Sequence, residues 1–342
     1  MTARGQVAIS IRPLAPFRLD LTVWALRRRA RNIVDRWDGT TYRRVLAIGS
    51  SLIQVSVTQT GPPDRPGLSV RTGCALDRKA TALLKGSVER ILGTNIDLAP
   101  FYVLAEQDER LRELATKFRG LKPPRFPTVL EALVNAMSCQ QLSLTVGIEL
   151  LNRLTHECGP RIFTGERAFP LAPDLLLVSP ARFRELGFSR QKASFILSLA
   201  EEVEHHRFDP EALDSRNNDF AREALLSVRG VGRWTAEYVL LRGLRRLDVF
   251  PGDDVGARNS LARWLNRTEQ ELDYTGIRNA LNRWLPYAGF IYFHLLLEGL
   301  SRNGEMNLSS TAPSISIQRG HDAEHPTEAN SFTKRSDRTM AG

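Results

Sequence analysis

Two adjacent carboxylates, Asp253 and Asp254 in "FPGDDVG", open the run "DVGARNSLARWLN". A carboxylate at a helix start can cap a free backbone N–H, and the partial positive charge there keeps it ionised. Just upstream, "SVRGVGRWTAEYV" (Ser227 to Val239) places Gly230 and Gly232 around a single valine. A dinucleotide-binding turn needs a third glycine where Thr235 stands and a strand before it, but "AREALLSV" has helical spacing. A P-loop needs a Gly-Lys-Ser/Thr ending, which is absent. Two readings remain. A tight helix–helix turn accounts for one glycine better than for two. A helix–hairpin–helix accounts for both: glycine amides at the start of a helix near Arg233 face a phosphate, and the missing Cβ lets it approach. Arg229, Gly230, Val231, Gly232, Arg233 and Thr235 are then the candidate contacts, and they carry no base-sequence information.

Charge agrees with a polyanionic partner. The 342 residues hold 47 Lys+Arg against 38 Asp+Glu, a net charge of +9. The first 60 residues carry ten arginines and three aspartates. Within them "RRRAR", Arg27 to Arg31, reads either as a solvated helix face or as a set of phosphate contacts. Cys74, Cys139 and Cys158 are too few and too scattered for a disulfide framework, a zinc site or an iron–sulfur cluster, which suits a reduced intracellular protein. Arg12, Arg18 and Asp20 interrupt any signal-peptide core, and the uncharged run Val45 to Pro63 reads as a hairpin rather than a membrane span.

The elements that position these groups come in two textures. "TYRRVLAIG", "LIQVSVTQT" and "GLSVRTG" alternate, are β-branched, and are separated by turn residues, which predicts strands. "LDRKATALLKGSVERILG" predicts a helix with Leu76, Ala80, Leu83, Leu84 and Val88 on one face. Helical periodicity dominates from Asp97 to about Leu300, with amphipathic helices over Leu142 to Leu154 and Gln191 to Val203. The expected fold class is α+β: a small mixed antiparallel-sheet N-terminal lobe over residues 1–105, then a mostly helical two-lobe core over 106–303. Residues 304–342, polar and poor in aromatics, are expected to be a disordered tail.

The block "LLSVRGVGRWTAEYVLLRGLRRLDVFPGDD" resembles the helix–hairpin–helix/Gly-Pro-Asp superfamily of DNA glycosylases, and within it the bacterial alkylation-repair branch, 3-methyladenine DNA glycosylase II. The resemblance extends over about residues 16–300, through "PPRFPTVLEALVNAMSCQQLS", "FRELGFSRQKASFILSLA" and "FRLDLTVWALRRRARNIVDRWDGTTYRRVL". It implies excision of alkylated bases from duplex DNA by base flipping and N-glycosidic hydrolysis. Departure of a base leaves an oxocarbenium-like sugar, which a fixed anion stabilises. The family pattern assigns that role to Asp254 and leaves Asp253 for capping or support. Lyase-competent members place a lysine where Trp234 stands, so the resemblance implies a monofunctional enzyme.

Trp234 and Tyr238, four residues apart on one helical face, are implied to line a base pocket, while Trp284 and Tyr287 either complete its wall or pack in the core. The loop of Gln140, Gln141 and Leu142 sits where the family carries its DNA wedge, with Gln141 or Leu142 as the wedge itself. No cofactor or metal is implied beyond a monovalent cation that hairpin carbonyls can hold in this family. The expected protein is a cytoplasmic, nucleoid-associated monomer acting on double-stranded DNA with damaged bases. The alternatives are an oxidised- or deaminated-base glycosylase and a non-catalytic helix–hairpin–helix damage-binding protein.

Overall fold

The computed structural model describes residues 8–268 and 270–306. Five strands form one antiparallel sheet: β1 (Ala8–Ile11), β2 (Arg36–Trp37), β3 (Thr41–Ile48), β4 (Ser51–Gln59) and β5 (Leu68–Thr72). Their spatial order is β1-β5-β4-β3-β2. The three longest strands are those the alternation predicts. β1 and β2 are too short to show a period, and they pair with β5 and β3.

Helix α1 (Leu19–Arg27) precedes β2, and α2 (Arg78–Leu92) follows β5. α2 buries Leu84, Val88, Ile91 and Leu92, while Leu83, expected on that face, is exposed. The helices α3 (Ala99–Glu106) and α4 (Glu109–Lys117) pack on each other, and the boundary expected at 105/106 lies in the last turn of α3. Then come α5 (Val129–Cys139), α6 (Leu144–Cys158), α7 (Ala172–Leu176), α8 (Pro180–Glu185) and α9 (Arg190–Glu204). The chain continues through α10 (Asn218–Ser227), α11 (Arg233–Arg242), α12 (Val255–Leu265), α13 (Tyr274–Leu281) and α14 (Ala288–Arg302). Residues 307–342, most of the expected tail, lie outside the described residues.

Two apolar cores organise these elements. One joins the sheet and α2 to α5, α6, α9 and α11; the other joins α1, α3 and α4 to α12, α13 and α14. α5 is apolar nearly all round and buried along its whole length, as a helix packed on every side must be. It meets the sheet through a buried ionic link. Arg44 on β3 donates to Asp35 Oδ1 at 2.7 Å and also to Glu131 on α5, and the Tyr42 hydroxyl donates to Asp35 at 2.8 Å. Burial pushes the Glu131 carboxyl up, against the pull of Arg44.

α1 is buried on most sides and ends at Arg28, whose backbone is left-handed (φ 62°). Of the arginine run, Arg27 and Arg28 are buried, 4 % and 2 % exposed. They are therefore neither a solvated face nor a phosphate patch. Arg27 turns back onto the carbonyls of Arg29, Ala30 and Trp37. Arg28 runs inward onto Tyr238 of α11 and Asn135 of α5.

Candidate active site

α10, a tight turn and α11 form the helix–hairpin–helix that the glycine spacing predicts, and the two glycines do different work. Gly230 has φ +88°, and a Cβ there would lie 2.3 Å from the Phe195 ring, so the turn itself demands glycine. Gly232 is the N-cap of α11 with an extended backbone (φ −98°, ψ −178°), and a Cβ there would meet nothing within 4 Å. No side chain caps α11, so the free amides of its first turn face open space. Val231 and Thr235 are buried, so of these two only the backbone can reach a ligand; Arg229 and Arg233 are exposed.

Gln140, expected to touch DNA, braces the hairpin. Its Nε2 donates to Gly230 O at 2.9 Å and to Thr235 Oγ1 at 2.8 Å. Lys192 Nζ donates to Ser138 O and Gln140 O, at 2.9 and 2.7 Å, capping the end of α5. Gln141, with φ +54°, and Leu142 are left exposed at the tip of the loop. Two hairpin carbonyls accept hydrogen bonds within the protein: Gly230 O from Gln140, and Val228 O from the Val231 N–H.

Beside the hairpin opens a cleft of about 1170 Å³ lined by Trp234, Tyr238, Asp254, Tyr292, Arg28 and the Gln140–Ser143 loop. The Trp234 and Tyr238 rings lie 5.3 Å apart, tilted by 35°. Asp254 is the N-cap of α12: Oδ1 accepts the Ala257 N–H at 2.9 Å. Its Oδ2 accepts from Trp234 Nε1 at 3.3 Å and from the Tyr292 hydroxyl at 3.4 Å. Burial, reinforced by Asp254, holds the Tyr292 phenol well above its ordinary value, so it stays a donor. Asp254 thus uses one oxygen for the helix and offers the other to the cleft.

Asp253 does not cap the helix. Both its oxygens accept from Arg233, at 2.6 and 2.9 Å, in a two-point pair at the protein surface. That guanidinium lies 3.9 Å from the centre of the Tyr274 ring. The Tyr274 hydroxyl donates to Glu237 at 2.5 Å, and the other Glu237 oxygen accepts the Gly252 N–H at 3.1 Å. These links tie the Gly252–Asp254 loop to α11 and fix the carboxylate against the aromatic rings.

Trp284 and Tyr287 do not line the cleft. Trp284 is 1 % exposed and packs on Trp264, with ring centres 4.9 Å apart, in the second core. Tyr287 packs edge-on against Phe101. The aromatics that join Trp234 and Tyr238 at the cleft are Phe195 on α9 and Tyr292 on α14, which sequence reasoning missed together with Arg28.

A helix–hairpin–helix placed beside an aromatic cleft with an acid at its edge defines a class of DNA-repair folds, and the comparisons agree. The description "HhH-GPD superfamily base excision DNA repair protein" matches residues 134–287. A DNA-3-methyladenine glycosylase of Bacillus subtilis is 31% identical over 205 residues, 58% of this chain and 68% of that protein. DNA-3-methyladenine glycosylase 2 of Escherichia coli is 29% identical over 137 residues, covering 40% and 48%. Among solved structures, the 3-methyladenine DNA-glycosylase from Archaeoglobus fulgidus superposes with a TM-score of 0.75 at 25% identity, over 87% of this chain and all of that one. The chain belongs to the HhH-GPD superfamily of base excision DNA repair proteins.

Proposed function

We propose that the chain is a monofunctional DNA glycosylase that releases alkylated bases of the 3-methyladenine type from duplex DNA, as the first step of base excision repair. The observation that carries this reading is Asp254: a carboxylate oxygen held by two donors at the edge of an aromatic cleft, beside an uncapped helix N-terminus. A duplex would dock by a phosphate on the first turn of α11, and one nucleotide would turn out into the cleft. Gln141 or Leu142, at the loop tip, would fill the vacated stack.

An alkylated purine carries positive charge, which suits stacking between Trp234 and Tyr238. When the C1′–N bond breaks, the base takes the bonding pair and leaves neutral, so no general acid is required. The sugar is left oxocarbenium-like, and the Asp254 carboxylate offsets that charge until water adds at C1′ and loses a proton. Trp234 has no amine to form a Schiff base, so the product is an abasic site with the strand intact. One chain supplies hairpin, rings and carboxylate, which supports action as a monomer, and the chemistry asks for no cofactor.

The test is a set of duplexes each carrying one defined lesion, incubated with protein and then cleaved at abasic sites with alkali. Asp254→Asn keeps a side chain that can cap α12, so the fold should persist. Excision should fall by roughly 100- to 1000-fold. Turnover near wild type in that variant would remove the basis of this reading.

A further inference from the structure

Two sides of α11 do different work. Trp234 and Tyr238 line the cleft, while Arg233 and Glu237, also one turn apart, bind the Gly252–Asp254 loop. Glu237 is 4 % exposed and stands outside the cleft. A buried carboxylate is costly, and on the flank of a helix that meets DNA it also repels the phosphates. Its partners supply the reason for it. Oε2 accepts the Gly252 N–H at 3.1 Å, and Oε1 accepts the Tyr274 hydroxyl at 2.5 Å.

Pro251 to Asp254 form a turn, closed by the Asp254 N–H on Pro251 O at 3.0 Å. α11 holds this turn at two successive residues. Glu237 takes the amide of Gly252, and Arg233 takes the side chain of Asp253 at 2.6 and 2.9 Å. Tyr274 of α13 closes the circuit. Its ring centre lies 3.9 Å from the Arg233 guanidinium, and a Cβ on Gly252 would come within 2.8 Å of its Cδ2, so the ring packs on the turn as well. The turn ends at Asp254, whose Oδ2 is reached by the longer bonds from Trp234 and Tyr292, at 3.3 and 3.4 Å. The place of that oxygen is therefore fixed by the cap on α12 and by the held turn behind it.

We propose that Glu237 is a positioning residue for base release: through the Gly252 amide and through Tyr274 it holds the Asp254 carboxylate at a fixed distance from the Trp234 and Tyr238 rings. The inference rests on the glycosylase reading and deepens it. The helix that carries the rings also carries the acid that places the carboxylate, so the aromatic wall and the offsetting charge share one rigid frame. An anion stabilises a developing cation best where it is already in place, and a displacement of about 1 Å can cost about 100-fold in rate.

The test reads single-turnover release of methylated bases from DNA treated with dimethyl sulfate. Protein is in saturating excess, so the rate constant does not depend on how much of a variant is folded. Glu237→Leu leaves the Gly252 N–H and the Tyr274 hydroxyl without their acceptor and should lower the rate constant by roughly 100-fold. Affinity for undamaged duplex, read by fluorescence anisotropy, should stay near wild type, because the hairpin amides are untouched. Glu237→Gln keeps a carbonyl for Gly252 and can donate to the Tyr274 oxygen, so it should hold the rate within roughly 10-fold of wild type. Tyr274→Phe keeps the ring on the turn, loses one hydrogen bond, and should lower the rate constant by roughly 3- to 10-fold; it carries the test if the leucine variant does not fold. A wild-type rate constant in Tyr274→Phe and in any folded Glu237→Leu overturns the positioning role. So does a loss confined to DNA affinity, or a glutamine variant no faster than the leucine variant. No release of any methylated base by wild type overturns the glycosylase reading itself.

Discussion

The two hairpin glycines should respond in opposite ways to an added side chain. At Gly232 the backbone is extended and a Cβ meets nothing within 4 Å, so Gly232→Val introduces no clash. Valine is a poorer N-cap than glycine by about 0.5–1 kcal/mol. The smaller entropy of the unfolded chain returns about 0.4–1 kcal/mol. Stability should therefore change by less than about 1 kcal/mol, a melting shift of no more than about 2–4 °C. At Gly230 the backbone is left-handed, and a Cβ would sit 2.3 Å from Phe195 Cδ2 and 2.4 Å from its Cγ. Gly230→Ala should cost about 1–3 kcal/mol of backbone strain and about 1–3 kcal/mol of overpacking.

DNA binding should show the reverse order. If a phosphate sits on the free amides of α11, the valine methyl groups stand in its place. Losing one charge-assisted hydrogen bond costs about 1.5–3 kcal/mol, or roughly a 10- to 100-fold rise in Kd. The loss should be equal on damaged and undamaged duplex, because phosphate contacts read neither sequence nor lesion. Fluorescence anisotropy with both duplexes, alongside thermal melting, measures the pair of effects. A Gly232→Val variant that melts well below wild type, while its folded fraction binds DNA with unchanged affinity, would rule out a phosphate contact at this glycine. Both glycines would then serve only to turn the chain.

Three further outcomes follow from particular contacts. Borohydride should trap no covalent adduct with an abasic or lesion-bearing duplex, since the residue at the head of α11 is Trp234; a trapped band on a denaturing gel would refute the monofunctional assignment. Arg44→Met should destabilise the protein by about 3–5 kcal/mol in urea unfolding, because Asp35 and Glu131 stay buried without their cation; a loss under about 1 kcal/mol would show that the link is incidental. His294 is buried among Phe101, Phe118 and Phe290 and donates from Nδ1 to the Phe290 carbonyl, and burial lowers its pKa to about 4. The unfolded chain takes up that proton first, near its ordinary 6.5, so the stabilisation is complete above pH 6.5 and about 3 kcal/mol is lost as pH falls toward 4. His294→Gln should flatten the stability profile in that window, and identical pH slopes would contradict the assignment.

Local spacing carried the legible part of the site. Gly230, Gly232 and the Asp253–Asp254 pair lie where short-range geometry has few alternatives, and the structure forms a hairpin and a capped helix there. Long-range packing carried the rest. Trp284 and Tyr292 are both aromatic residues in apolar helical surroundings, and nothing in the spacing of "NRWLPYAGFIYFHLLL" tells which one packs on Trp264 and which reaches Asp254. Arg28 was hidden for another reason. A run of arginines reads as surface because burying a charge is costly. Here the cost at Arg28 is offset by a phenol and an amide that arrive from α11 and α5.

Those two contacts change what the N-terminal part of the chain does. Arg242, at the end of α11, donates to the Ala25 and Leu26 carbonyls, which α1 cannot satisfy at its own C-terminus. Arg28, just beyond that terminus, returns a hydrogen bond to Tyr238 on α11. The two helices therefore exchange donors in both directions, and the aromatic face of α11 is held by groups lying more than 200 residues earlier in the chain. α5 joins the same arrangement through Asn135 and, one turn away, through Glu131 to Arg44 on the sheet. The hairpin and the carboxylate come from the helical part alone. The Tyr238 hydroxyl does not stand on that part alone: its hydrogen-bond partner is an arginine placed just past the end of α1.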